Sequence, residues 1–378
     1  MTALTAASVS DSILGGDGLD TLVGGAGNDT LSGGGDADEI YATEGDNVLS
    51  GDAGNDSIYA GSGNDVIDGG ADNDTIIAGA GDDTILGGAG NDSMEGGDGK
   101  DTFDLTDLSG NDTIIGGEIA DTTPTNSGDK LDAHNNVDNL NIVFSGDEAG
   151  TVTEGANSVT FSEIEHILGG QGSDTLDASL SNVGQILDGG EGADTITADN
   201  DTLVLNDGFG ADSVEGFETP TDLGGGNYSG NDQLDVSGLT DLSGDPVNTD
   251  DVVVSDTNGD GTGDAILTFP NGESITLQGV ASSDVSSSSQ LAAMGVPLAP
   301  TVSTFYDAIE IDAVPTGATT LTSGDEMNQI VEPITVTSAS QTEIAAGDTM
   351  EIGGTTYTIS SVTDYEAELN NYDGGGVT

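Results

Sequence analysis

One apolar residue recurs every nine positions through the first part of the chain, and glycine and polar residues fill most of the space between. From Gly15 to Asp104 the sequence divides into ten consecutive nine-residue units without insertion, beginning at Gly15, Gly24, Gly33, Ala42, Gly51, Ala60, Gly69, Ala78, Gly87 and Gly96. The eighth position reads Leu22, Leu31, Ile40, Leu49, Ile58, Ile67, Ile76, Ile85, Met94, Phe103. The sixth reads Asp20, Asp29, Asp38, Asn47, Asp56, Asp65, Asp74, Asp83, Asp92, Asp101. Glycine fills the fourth position except where Asp36 and Asp72 stand. An acidic linker has no reason to hold one apolar residue at the same phase through ten units.

The period predicts a parallel β-roll, an all-β solenoid. Glycine permits positive φ and close backbone approach, so the first half of each unit reads as a tight turn. Asp enters the left-handed region more readily than most residues, which makes Asp36 and Asp72 tolerable there. The last three residues of a unit, such as Thr30-Leu31-Ser32, read as a short strand with one inward side chain. Two units make one coil, so unit n stacks on unit n+2. One inner column is then Leu22, Ile40, Ile58, Ile76, Met94, and the other Leu31, Leu49, Ile67, Ile85, Phe103. One apolar side chain per nine ordered residues is a thin core for the entropy that must be overcome, so an external source of stability is expected.

Beyond the ten units the pattern loosens. A partial unit at Gly110–Ile114 extends the roll, Asp121 to Asn139 reads as loop, and Asn141–Ser145 and Ser158–Ile167 read as strands. The repeat returns at Gly169–Asp177 and Gly189–Thr197, with an eleven-residue insert between, and a contracted unit follows at Asp199–Leu203. Residues 206–242 suit the atypical unit that closes a solenoid. Residues 252–280 read as antiparallel β, and Ser282–Ser289 with Pro297–Pro300 as linker. In the tail, Thr349–Ile352 and Thr355–Ile359 flank Gly353-Gly354, a hairpin signal. The expected organisation is an N-terminal tail (1–14), a β-roll (15–117), a β insert or loop (118–168), a second repeat block (169–217), an antiparallel β cap (218–296), and a linker with a small β module (297–378).

Charge adds a partner. The chain has 70 Asp+Glu against 2 Lys+Arg, a formal net charge of −68. That surface repels nucleic acid and anionic lipid and attracts cations. Ca²⁺ takes six to eight oxygen ligands, carboxylate and carbonyl alike. A glycine-rich turn exposes carbonyls, the adjacent Asp adds a charged oxygen, and stacking two turns brings both sets around one ion. The ion also neutralises carboxylates that stacking forces together. There are no cysteines, and Met1–Leu14 has neither a basic n-region nor a long apolar run, so neither disulfides nor a cleaved signal peptide is expected. No stretch reaches transmembrane length.

These units closely resemble the RTX, or haemolysin-type, calcium-binding repeats of bacterial proteins exported by type I secretion. The resemblance covers 15–115 closely, 169–217 well, and runs more loosely to about 280, through Gly230–Asp235 and Ile275–Val280. It implies that one turn gives carbonyls from its second and fourth positions plus its Asp, and the turn two units later carbonyls from its first and third plus its Asp. Gly16, Gly18 and Asp20 would then share an ion with Gly33, Gly35 and Asp38. Asp52, Gly54 and Asp56 would pair with Gly69, Ala71 and Asp74, and Gly61, Gly63 and Asp65 with Ala78, Ala80 and Asp83. Gly79, Gly81 and Asp83 would pair with Gly96, Asp98 and Asp101. The set extends to Gly25, Gly27 and Asp29, to Gly87, Ala89 and Asp92, and to Asp112, Asp174 and Asp194. The unit Ala42–Ser50 departs from the pattern with Thr43 and Asn47, and its sites are expected to be weaker or empty.

Two further features have plainer readings. Asp256–Asp264 matches the start of an EF-hand-like loop, but its twelfth position is Leu267 and strands flank it, so an acidic hairpin turn is preferred over a metal loop. His134 and His166 lack H-E-x-x-H, there is no G-x-S-x-G and no Cys, and the absence of Trp disfavours a sugar cleft. His166, Lys100 and Lys130 read as ordinary residues. The expected function is a non-catalytic, extracellular Ca²⁺-binding protein, structural or adhesive, binding several ions and exported by type I secretion machinery. The alternative is the repeat and export portion of a secreted enzyme. The ending Asp373–Thr378 resembles neither a compact domain end nor a clear secretion signal, which leaves a truncated chain as one reading.

Overall fold

Residues eighteen apart in the repeats lie side by side. The computed structural model describes residues 3–5, 9–117, 128–224, 227–229, 232–299, 335–337, 349–352 and 355–358. Among them the regular structure is β apart from one 3-10 turn and one short helix. Successive strands of the repeats alternate between a 16-stranded and an 11-stranded sheet, with parallel pairing inside each. Both inner columns form as expected. Leu22, Ile40, Ile58, Ile76 and Met94 are ladder partners in turn, and so are Leu31, Leu49, Ile67, Ile85 and Phe103. All of these are buried.

The strands are longer than the sequence suggested. Most span six residues, as in Ser57–Ser62 and Thr75–Ala80, and carry on through the first three positions of the next unit. The reason is the second-position glycine. Its positive φ, +107° at Gly61 and +121° at Gly79, bends the chain without breaking the ladder, and Gly61 still pairs with Gly79. A Cβ on Gly79 would meet the Gly61 carbonyl oxygen at 2.1 Å, so the coils stack as closely as they do only because that atom is missing. Asp36 and Asp72 adopt φ of 71° and 78°, filling the glycine conformation as expected.

The roll also runs past both of its expected limits. In the stretch read as a tail, Leu4 pairs with Leu22 and Ile13 with Leu31. Between the two repeat blocks neither sheet stops. One column continues from Phe103 through Leu131, Ile167, Leu187 and Leu203 to Leu234. In the other sheet Ile114 pairs with Phe161, an antiparallel meander of Asn157–Ser162, Ala149–Glu154 and Asn141–Gly146 is spliced in, and Ile142 resumes parallel pairing with Leu176. Ser158–Ile167, read as one strand, is therefore two, because Glu163 at φ 59° turns the chain from one sheet to the other. The eleven-residue insert likewise supplies a ladder strand, Ile186–Asp188. Of Asp121–Asn139, read as loop, residues 121–127 lie outside the described residues, and Lys130–Asp132 is a ladder strand instead, because Leu131 fills the inner column beside Phe103.

The C-terminal end of the roll is closed by antiparallel strands. Ser274–Ala281 pairs parallel with Ala211–Glu215, and Asp264–Thr268 and Val253–Asp256 follow it antiparallel. Phe209 meets Phe269 edge to face at 5.7 Å. The Ser-rich stretch is not a linker. It forms a 3-10 turn at Ser282–Asp284 and a helix at Ser288–Ala293 whose capping box joins Ser287 and Gln290. Val285, Leu291, Met294 and Val296 are buried there, and Leu234 N–H donates to the Met294 carbonyl. Serine content hid these four apolar residues. In the separate unit Ala299–Thr378, Thr335–Thr337, Thr349–Ile352 and Thr355–Thr358 form an antiparallel sheet, with the expected hairpin pairing Ile352 with Thr355. The rest of that module lies outside the described residues.

Truncating one column residue tests the packing. Ile76→Ala should destabilise the calcium-saturated chain by about 2–5 kcal/mol, and the outward Thr75→Ala by about 0.5 kcal/mol or less, in urea unfolding. Equal effects would show that the inward phase is misassigned.

Candidate metal sites

Each repeat turn delivers its sixth-position residue into the protein, not out of it. Asp20, Asp29, Asp38, Asp56, Asp65, Asp74, Asp83, Asp92, Asp101, Asp112, Asp174 and Asp194 are all at most 5% exposed. On one edge of the roll the Asp20 N–H donates to Asp38 Oδ1 at 2.7 Å, and Asp38, Asp56 and Asp74 donate in turn to Asp56, Asp74 and Asp92. On the other edge Asp65 N–H donates to Asp83 Oδ1 at 2.7 Å and Asp83 to Asp101 at 2.9 Å. One carboxylate oxygen is thus spent on holding consecutive coils together.

The second oxygen has no such role. Oδ2 of Asp29, Asp38, Asp56, Asp65, Asp74, Asp83, Asp92 and Asp194 is buried and receives no hydrogen bond. A buried carboxylate oxygen without a donor is costly, and a cation removes the cost. First-position residues crowd this atom: a Cβ on Gly33 would stand 2.6 Å from Asp38 Oδ2, and one on Gly51 2.5 Å from Asp56 Oδ2. The same Cβ atoms would also meet the Gly51 and Gly69 carbonyl oxygens, and an oxygen-lined site suits a hard cation such as Ca²⁺.

The turns that the resemblance pairs are neighbours. The fourth-position N–H of one turn donates to the third-position carbonyl two units on: Gly18 to Gly35, Gly54 to Ala71, Gly63 to Ala80 and Gly81 to Asp98, at 2.7–3.0 Å. Each such carbonyl keeps a second lone pair. Gly16, Gly25, Gly27, Gly61 and Asp52 sit at positive φ beside them. Gly69, Ala78, Gly87 and Gly96 begin the units that carry Asp74, Asp83, Asp92 and Asp101, and Ala89 ends the strand Thr84–Ala89. With calcium bound, the carboxylates and these carbonyls would hold it, and the ion would supply the positive charge that the column lacks.

The second block is uneven. Asp174 accepts from Leu140 N–H on Oδ1 and Gly170 N–H on Oδ2, both at 2.8 Å, so both of its oxygens are engaged. Asp194 Oδ2 receives nothing. Other members of the columns lay outside the ligand set read from sequence. Asp129 accepts from Asp101, Asp212 from Asp194, Asp232 from Asp201, and Asp29 from the N–H of Asp11. The signal for them was present: Asp11-Ser12-Ile13, Asp129-Lys130-Leu131, Asp201-Thr202-Leu203, Asp212-Ser213-Val214 and Asp232-Gln233-Leu234 keep the Asp-x-apolar triplet after the glycine turn has eroded. The acidic loop 256–264 is a hairpin turn in which Asp256 accepts from the N–H groups of Asn258, Asp260 and Gly261, which holds its carboxyl below the usual range.

Burial, then the neighbouring carboxylates, pushes the column acids up: Asp56 and Asp112 to about 6, Asp74 and Asp83 to about 7, and Asp194 to about 8. The ordinary Asp value is 3.8, so the folded chain binds protons more tightly than the unfolded one. This contribution to stability is present in full below about pH 4 and is lost as pH rises through 6 to 8. In calcium-free buffer, lowering the pH from 8 to 5 should therefore increase β structure by circular dichroism. A loss of β signal over that range would contradict buried, mutually repelling carboxylates.

A match to a known repeat family agrees with this geometry. The family model described as the RTX calcium-binding nonapeptide repeat matches in four copies, at residues 8–40, 41–76, 68–103 and 104–122. No curated protein matches the chain. Among solved structures, the extracellular lipase LipA from Serratia marcescens is similar at 18% identity and a TM-score of 0.20, over 65% of this chain and 44% of the lipase. The nonapeptide turn, the parallel roll and the buried Asp columns coincide over the matched residues, and over residues 8–122 the chain carries RTX-type repeats of the calcium-binding kind.

Proposed function

We propose that this is an extracellular, non-catalytic Ca²⁺-binding protein, structural or adhesive, whose roll folds around several ions after export through type I secretion machinery. The observation that carries the reading is the set of buried, unpartnered Oδ2 atoms in stacked Asp columns. Metal-free, those columns oppose folding, and a net charge of −68 keeps the chain expanded and threadable. Extracellular calcium modules bind at about 10⁻⁴–10⁻³ M, a range that leaves the sites empty in the cytosol and filled outside. Each carboxylate belongs to two successive turns, so filling one site orders part of the next, and binding is cooperative.

The histidines favour a non-catalytic reading. His134 meets Asp132 Oδ1 through Nδ1 and Asn135 through Nε2, so both ring nitrogens are engaged in local contacts. Burial, with Lys130 nearby, depresses His166 to about 4, which keeps it neutral. Among the described residues, no helix is long and apolar enough to cross a membrane.

A calcium titration of the full chain at pH 7.5, followed by circular dichroism, tests the proposal. The expected result is coil in chelator and β structure at millimolar Ca²⁺, with a steep cooperative transition. A full β spectrum in chelator, or noncooperative binding with a submicromolar midpoint, would sink it.

A further inference from the structure

We propose that the unit Ala42–Ser50 is a metal-free joint inside the calcium roll, where hydrogen-bond donors on Thr43 and Asn47 stand in the place of ions. This rests on the reading that the other turns bind calcium.

Asn47 keeps the structural half of the Asp role. It is 1% exposed, and its Oδ1 accepts from Asp29 N–H at 2.9 Å, as an Asp would. Its other branch differs. Where neighbouring repeats leave Oδ2 without a donor, Asn47 carries an NH₂ that donates to Asp65 Oδ1 at 2.8 Å and to the Gly45 carbonyl at 2.6 Å. Gly45 holds the fourth position of this unit, and Asp65 the sixth position two units on. Their oxygens are the ones a shared ion would draw together, and the amide already does so without a charge.

Thr43 does the same for the adjacent site. Its hydroxyl donates to the Gly25 carbonyl, a second-position oxygen of the turn that contains Asp29. Its presence at a position otherwise mostly glycine is not itself the reason. Asp52 also replaces glycine there, yet accepts hydrogen bonds from Ser32 and Ser50 and adds no donor. A cation entering either site that includes unit 42–50 would face protons where its oxygen ligands should be, and Ca²⁺ needs at least six oxygens.

The two edges of the roll then load differently. On one edge Asp20, Asp38, Asp56, Asp74, Asp92 and Asp112 form an unbroken carboxylate column. On the other, the joint separates Asp29 from Asp65, Asp83 and Asp101, and holds its own two turns in register before any ion arrives.

Counting bound Ca²⁺ on the full chain by native mass spectrometry under saturating calcium tests the joint. The double variant Thr43→Gly/Asn47→Asp should carry two more ions than wild type. The reciprocal Asp83→Asn, which places an amide at an ordinary turn, should lose up to two ions while circular dichroism still reports a folded roll. A wild-type chain that binds calcium beside a folded double variant with the same ion count overturns the joint alone. A wild-type chain that binds none overturns the proposed function and this inference with it. If the double variant fails to fold, an unchanged ion count in Asp83→Asn overturns the joint by itself.

Discussion

Stacking a carboxylate on a carboxylate inside a protein is the constraint on which this fold turns. Coils in a parallel sheet sit about 4.8 Å apart, so identical positions in successive coils are forced together. Placing Asp there repeatedly builds mutual repulsion into every added coil. The backbone answers part of it: each Asp accepts an N–H from the coil before it, as Asp74 does from Asp56 and Asp92 does from Asp74. In Asp29, Asp38, Asp56, Asp65, Asp74, Asp83, Asp92 and Asp194 the remaining oxygen receives no hydrogen bond, and a cation would remove the cost of burying it. On the proposed reading, fold and metal share one set of atoms.

The turns are laced in both directions. The buried sixth-position ladder runs forward, from an N–H to a side chain two units later. The exposed fifth position runs backward: Asn73 N–H donates to Asn55 Oδ1, Asn91 to Asn73, and Asn111 to Asn91. The opposite edge repeats this through Asn28, Asp46, Asn64 and Asp82. Side chains thus hold each turn to both of its neighbours, which lets a glycine-rich segment keep one conformation along the roll.

Where the repeat erodes, hydrophobic packing takes over from the turns. Between the blocks the chain abandons the nonapeptide turn and splices in a meander packed on Phe144 and Phe161, which meet edge to face at 5.3 Å. At the far end, the strands after Val253 and the helix with Leu291 cover the last coil, supplying the apolar surface that the nonapeptide units lack. Asn47 shows a third solution, a neutral amide that satisfies the column without metal.

Periodicity alone determined the roll, its two-unit coil and both inner columns, because a nine-residue repeat with one apolar and one acidic position admits one stacking that buries the first and pairs the second. It also marked Asn47 as a departure, while the turn signal Gly353-Gly354 between two strand-like runs marked a hairpin. Strand length was not legible, since glycine reads as turn and only the ladder shows that Gly61 and Gly79 stay paired through it. Nor was the continuity across 130–162, because Leu131 and Ile167 lie 36 residues apart and become neighbours only when the intervening meander folds away into the other sheet. The distinction between Asp174, with both oxygens engaged, and Asp194, with one left over, was beyond the sequence as well. Both read as the sixth residue of a repeat, and the donor that separates them, Gly170 N–H, is placed by tertiary packing.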